Sequence, residues 1–247
     1  MSKGVSDIYV SALRKQFNKC PNWEAHTPVA LGDYGDMKDG IFMRIDNISR
    51  QFNIEILELP PQPAIRREFS SEGVKTQVVN VGAGTTDANA QIEISFEKEN
   101  SVFFNAAECV IRKINNLGTI LSELDKLYKQ DKWNKDWVVI TELEEATSAV
   151  VAISRESNAS VAFEAASPVA KIDLADASLK LKASKQNKIA YKLDSTNTDA
   201  KLVVLLGMYK LKKKGFLGMG RETEWVAERS LDNHADSADL EWGEVIE

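Results

Sequence analysis

Histidine, cysteine and long apolar runs are what this 247-residue chain has least of, and each shortage removes a class of function. The two histidines, His26 and His234, fall in a loop-like stretch and in an acidic terminal stretch, which argues against a hydrolase triad. The two cysteines, Cys20 and Cys109, stand far apart and form no zinc-ligand spacing with so few histidines; they are expected as reduced thiols. No stretch approaches the roughly 18 apolar residues of a membrane-spanning helix. The opening MSKGVSDIYVSALRKQFNK has no long apolar signal core, so a protein made and kept in the cytoplasm is expected. No Gly-rich loop of the Walker or Rossmann pattern occurs, and no Gly-x-Ser-x-Gly elbow, so neither a cofactor nor enzymatic activity is expected. The chain is acidic and its aromatics do not interleave with basic residues, so no nucleic-acid partner is expected.

What is present is an uneven charge distribution. Residues 215–247 hold Arg221 and Arg229 against nine carboxylates, a balance of −7. The preceding 214 residues carry 29 Lys and Arg against 28 Asp and Glu, or +1. The acidity therefore belongs to the tail, and a body without it approaches anionic lipid with less repulsion. Just before the tail stand Lys210, Lys212, Lys213 and Lys214. They read as a solvated strand edge protected by lysine, or as a contact with lipid phosphate or with the tail itself.

Hydrophobic spacing predicts a short amphipathic helix over 5–17, with Arg14 and Lys15 where the helix dipole favours cations. CPNWEAHTPVALGDYGDMKDG reads as irregular chain. GIFMRID alternates as a strand, and NIEILEL reads as a second one stopped by PPQP. Residues 68–104 read as a long hairpin around GAGTTDANA, with Ile92, Ile94 and Phe96 on one face of its second strand. AAECVIRKINNLGTILSELDKLYKQ reads as the one substantial helix, with Gly118 marking a kink or break and a buried Cys109 near its start. From WVVITELEEA to AKLVVLLGMYKLKKK the segments are strand-length and rich in Val, Ile, Ala and Leu, with a bulge expected near 175–177. The acidic residues Glu142, Glu144 and Glu145 read as a strand face or turn. Together these elements predict an α+β fold: a twisted, mostly antiparallel sheet with flanking helices.

The order of elements resembles the pore-forming N-terminal domain of the gasdermin family, especially its short bacterial and fungal members. REFSSEGVKTQVVNVGAG followed by AQIEISFEKENSVFF looks like the family's first membrane hairpin, and WVVITELEEATSAVVAISRESNASVAFEA like its strand-turn-strand. The resemblance implies a domain over 1–216 and an autoinhibitory tail over 217–247. It implies a cell-death effector, in bacteria an antiphage one, that rests in the cytoplasm. A protease removes the tail, copies of the chain assemble, and two hairpins per subunit, within about 74–104 and 138–193, open into a barrel at the inner (plasma) membrane. Such a barrel satisfies every backbone group in lipid only when closed. The expected partners are further copies of the chain, the lipid membrane and the activating protease.

The resemblance also assigns residues. Arg14, Lys15, Lys19, Arg44, Lys210, Lys212, Lys213 and Lys214 are candidates for lipid contact. Arg221 and Arg229 are candidates for tail cleavage, and Trp225, Val226, Leu231, Leu240 and Trp242 for tail anchoring. Bacterial members carry a lipidated cysteine beside the initiator methionine; here that position is Ser2, which leaves Cys20 as the palmitate candidate. The competing reading is a soluble, non-enzymatic binding or scaffold protein whose acidic tail recruits a basic partner.

Overall fold

The structure, a computed structural model, describes residues 4–25, 27–63, 65–81, 89–165, 180–184, 188–194, 201–213 and 223–227. The amphipathic opening folds as α1 (Val5–Phe17), with Asp7 accepting a hydrogen bond from the Gly4 amide (2.8 Å) and Asn18 ending it in the left-handed conformation.

Five strands build the middle of a large antiparallel sheet: β7 (Ser101–Lys113), β8 (Val138–Ala146), β9 (Ser148–Ser154), β12 (Lys188–Asp194) and β13 (Leu202–Lys213). β8 and β9 are two halves of one line along β7. A single register runs from Lys113 opposite Glu142 to Ser101 opposite Ser154, broken only near Glu108, whose φ is +49°. β13 and β12 flank that line on its other side. β4 (Ile65–Ser70) lies on the free margin of β7, β1 (Cys20–Pro21) pairs with β13, and the hairpin β2 (Asp33–Lys38)–β3 (Ile41–Asn47) extends from β8. Asp39 and Gly40, both at positive φ, make the two-residue turn between β2 and β3.

A second sheet holds β5 (Val74–Val81), β6 (Asn89–Phe96), β10 (Ala159–Ala165) and β11 (Lys180–Ser184), in the order β11-β10-β6-β5. It packs on one face of the large sheet, where Ile92, Ile94, Phe96 and Phe163 meet Phe103 and Val150. On the opposite face Val102, Phe104 and Ala106 pack against Tyr9 and Leu13 of α1. β7 is therefore buried on both sides, and truncating Phe104 to alanine is expected to cost about 3–5 kcal/mol. Farther along, α2 (Ile48–Phe52) and α3 (Leu117–Lys129) close a second core around Ile48, Ile120, Leu124 and Ile140. The expected α+β class, mostly antiparallel, is what the chain adopts.

Several sequence expectations are corrected. The helix expected from residue 106 begins only at Leu117; residues 101–113 are strand, with Cys109 inside it and buried. The irregularity at Glu108, whose φ is positive, interrupts the alternation that marks a strand. Gly118 lies in the first turn of α3, where it marks the start rather than a break. The stretch read as irregular contains β1 and β2. NIEILEL forms no strand of its own beyond a bridge at Glu58; it runs along β7 through Leu59 N–H to Lys113 O (2.9 Å) and Gln62 N–H to Ile111 O (3.1 Å). The bulge expected near 175–177 lies outside the described residues.

Candidate functional site

The small sheet is made of strands that continue out of the large one. β4 turns into β5, β6 into β7 and β9 into β10, and each turn contains a residue at positive φ: Gly73 (+81°), Asn100 (+57°) and Asn158 (+55°). Each turn is also fixed by a serine. Ser71 Oγ accepts from the Val102 amide (2.9 Å), Ser101 Oγ donates to Lys98 O (2.8 Å), and Ser154 Oγ donates to Glu156 O (2.7 Å). Ser101 and Ser154 face each other in the β7–β9 register and both are buried. The Ser101 and Ser154 hydroxyls are satisfied by backbone of their own turns and that of Ser71 by β7, which stabilises bends that uninterrupted ladder bonds would straighten.

The two segments expected to supply hairpins thus meet side by side, β6 against β10 in an unbroken register from Ala90 opposite Ala165 to Phe96 opposite Ala159. Their inner face is apolar (Ile92, Ile94, Phe96, Val161, Phe163) and their outer positions are polar, with Glu93, Ser95 and Ser160 partly exposed and Lys75 and Gln77 exposed.

The basic residues behave differently from one another. Lys15 is exposed on α1, and Arg14 donates to Cys20 Sγ (3.1 Å). Lys19 is engaged with Glu142 and Glu144, Arg44 with buried Asp33 (2.8 Å), and Lys210 lies 4.0 Å from Asp136. Cys20 is buried between α1 and β13, so acylation there requires that contact to open. Lys212 and Lys213 occupy the last positions of β13, while Lys214 lies outside the described residues.

Sequence reasoning missed the strongest charged cluster. Arg67 on β4 holds Glu144 on β8 with two hydrogen bonds, 2.7 and 2.8 Å, and lies over the Phe17 ring at 5.6 Å. Glu142, Glu144 and Glu145 lie on β8, on the strand the sequence allowed, and the Glu144 side chain has no exposed surface. Burial pushes its carboxyl pKa up, but the bonds and charges of Arg67 and Lys19 outweigh that and hold it below the ordinary value. The same pair raises Arg67. Burial, helped by the Glu144 charge, pushes the Cys109 thiol up to about 12. A second cluster joins Arg112 to Glu58 and Glu145. These clusters tie α1, β4, β7 and β8 together in the state described.

A tail strand, β14 (Thr223–Ala227), pairs antiparallel with the end of β13, placing Val226 opposite Lys210, Trp225 opposite Leu211 and Glu224 opposite Lys212. It lies on the margin that β1 also uses, since β8 occupies the other. Arg221, Arg229, Leu231, Leu240 and Trp242 lie outside the described residues.

No protein-family model matches the chain, and no curated protein does. The solved structure of a bacterial gasdermin from Bradyrhizobium tropiciagri is similar to it. The match covers 89% of this chain and 90% of that one, with 11% sequence identity and a TM-score of 0.35. Among the described residues no group of histidine, cysteine or carboxylate side chains is placed to hold a metal ion, and no helix is long and apolar enough to cross a membrane.

Proposed function

We propose that this chain is a non-enzymatic pore-forming effector of the gasdermin kind, held inactive by its acidic tail and released by proteolysis. In this reading the resting protein is cytoplasmic. After the tail is cut, copies assemble on the inner (plasma) membrane, and the small sheet unfolds into membrane strands that kill the cell, as in antiphage defence.

The observation that carries the reading is the small sheet. Its central strands β6 and β10 have an apolar inner face, and among the described residues three bends join it to the large sheet without separate connections. A membrane strand needs about 9–11 residues, and β6 and β10 supply 8 and 7. Straightening the bends at Asn100 and Asn158 lengthens both by joining them to β7 and β9. Ile92, Ile94, Phe96, Val161 and Phe163 then face lipid, while Lys75, Gln77, Glu93 and Ser95 face water. The register of β14 supports the role of the tail, because a strand on the β13 margin occupies backbone groups that a neighbouring copy would otherwise meet. Arg221 and Arg229 flank that strand in sequence and are the cleavage candidates.

Expression tests the reading. The chain truncated near residue 220 should stop cell growth, and the full chain should not. Normal growth with a truncated chain that is folded and abundant contradicts it.

A further inference from the structure

Between α2, the end of α3 and the segment leading from α3 into β8 lies a cleft of about 610 Å³. Its lining shares no residue with the three bends or with β14. One wall is aromatic. The Tyr34 ring packs against Phe52 (5.6 Å between ring centres), Trp133 (5.1 Å) and Trp137 (5.0 Å), and Trp133 meets Trp137 edge-on (5.4 Å). Trp133 is buried behind the wall, while Phe52 and Trp137 are half-buried and turn ring surface to the cleft.

Around the rings stand three exposed polar side chains, Gln51, Asn53 and Lys132, and the lining holds no carboxylate. Lys126 and Lys129 on α3 are paired with Glu123 and Asp125, both at 2.6 Å, but Lys132 is in no ion pair among the described residues. Asn53 ends α2 in the left-handed conformation with its backbone N–H donated to Ile48 O, which leaves the side-chain amide at the cleft. Neither that amide nor the one of Gln51 makes a hydrogen bond among the described residues. An apolar, aromatic wall with a few convergent polar groups is the make-up of a small-molecule site, and the volume falls within the range of about 300–1,000 Å³ that such sites span.

We propose that this cleft binds a flat heteroaromatic ring carrying an anionic group, in the form of a nucleoside monophosphate. The half-buried rings offer a stacking surface for a base. A side-chain amide carries a donor and an acceptor side by side, as the edge of a base does, and Gln51 and Asn53 supply two. Lys132 supplies the charge for the phosphate, with no carboxylate in the lining to oppose it. The cleft is sized for one nucleotide and not for a strand. The site does not rest on the pore reading.

Isothermal titration calorimetry on the full-length protein tests the proposal, with AMP, GMP, CMP and UMP as probes and the matching nucleosides beside them. Saturable binding with a Kd below about 1 mM is expected for at least one monophosphate. Lys132→Gln should weaken that monophosphate about tenfold and leave its nucleoside unchanged. Trp137→Ala should weaken both at least about fivefold. Lys132 is exposed, so its variant keeps the test decisive even if the tryptophan variant folds poorly. Absence of saturable binding by all four monophosphates, or a monophosphate Kd indifferent to Lys132→Gln, overturns the proposal. Vesicle leakage or its absence bears on the pore reading and not on this one.

Discussion

Arg67→Met isolates the charge cluster that joins β4 to β8. It removes two hydrogen bonds, 2.7 and 2.8 Å, from a carboxylate whose side chain is 0% exposed, and leaves Lys19 as the remaining cation. Breaking a buried ion pair costs about 3–5 kcal/mol. Because Lys19 stays and Arg67 is itself 27% exposed, the lower end applies, about 3 kcal/mol. Urea unfolding followed by circular dichroism reads this directly, and the melting temperature should fall by roughly 6–10 °C. Pairing the change with Glu144→Leu should recover part of the loss, since an apolar replacement no longer needs a cation. The sign of the pH dependence follows from the lowered Glu144 pKa. Its contribution is fully present above the ordinary carboxylate value and is lost as pH falls through the depressed one, so the gap between wild type and Arg67→Met should narrow as pH falls below the ordinary carboxylate range. A loss under about 0.5 kcal/mol at neutral pH, typical of an exposed pair, refutes the reasoning.

Three further perturbations have defined outcomes. Gly207→Ala places a methyl 2.7 Å from Glu142 Cβ at a bulge of β13, and thermal melts should show a loss of about 1–3 kcal/mol. Asn158→Val puts a β-branched residue at φ +55°, which should destabilise the folded-back bend by about 1–3 kcal/mol and, on the pore reading, speed vesicle leakage after tail removal. Cys109, buried and with its thiol pushed up to about 12, should not react with a disulfide reagent at pH 8 in the native protein and should react on unfolding.

The elements legible in the sequence are those with one wet face. α1 and β6 repeat or alternate cleanly because only one side of each is packed, and the structure has them where the periodicity placed them; β3 also lies where its alternation placed it, although Met43, Arg44 and Ile45 are all exposed. The second half of β7 was misread as helix because the irregularity at Glu108, at φ +49°, breaks its alternation, which leaves β-branched content as the clue; Val110 and Ile111 were such clues. The β2–β3 hairpin had a stronger signal that went unused, the Asp39-Gly40 pair between two strand-like runs. Arg67 with Glu144 had none, since the partners are 77 residues apart and only the pairing of β4 and β8 with β7 brings them together. The three glutamates of β8 nevertheless carried a hint: in a strand whose other residues are apolar except Thr141, carboxylates require cations close by. The bends at Gly73 and Asn100 fell inside stretches read as the two arms of one hairpin, and their alignment with the bend at Asn158 is a property of the sheets and not of any one segment.

Dye release from anionic vesicles, measured before and after tail removal, tests the central claim most directly. Full-length protein should release nothing. The folded chain ending near residue 220 should empty the vesicles and form rings on their surface. A folded truncated chain that neither releases dye nor assembles on the membrane contradicts the account.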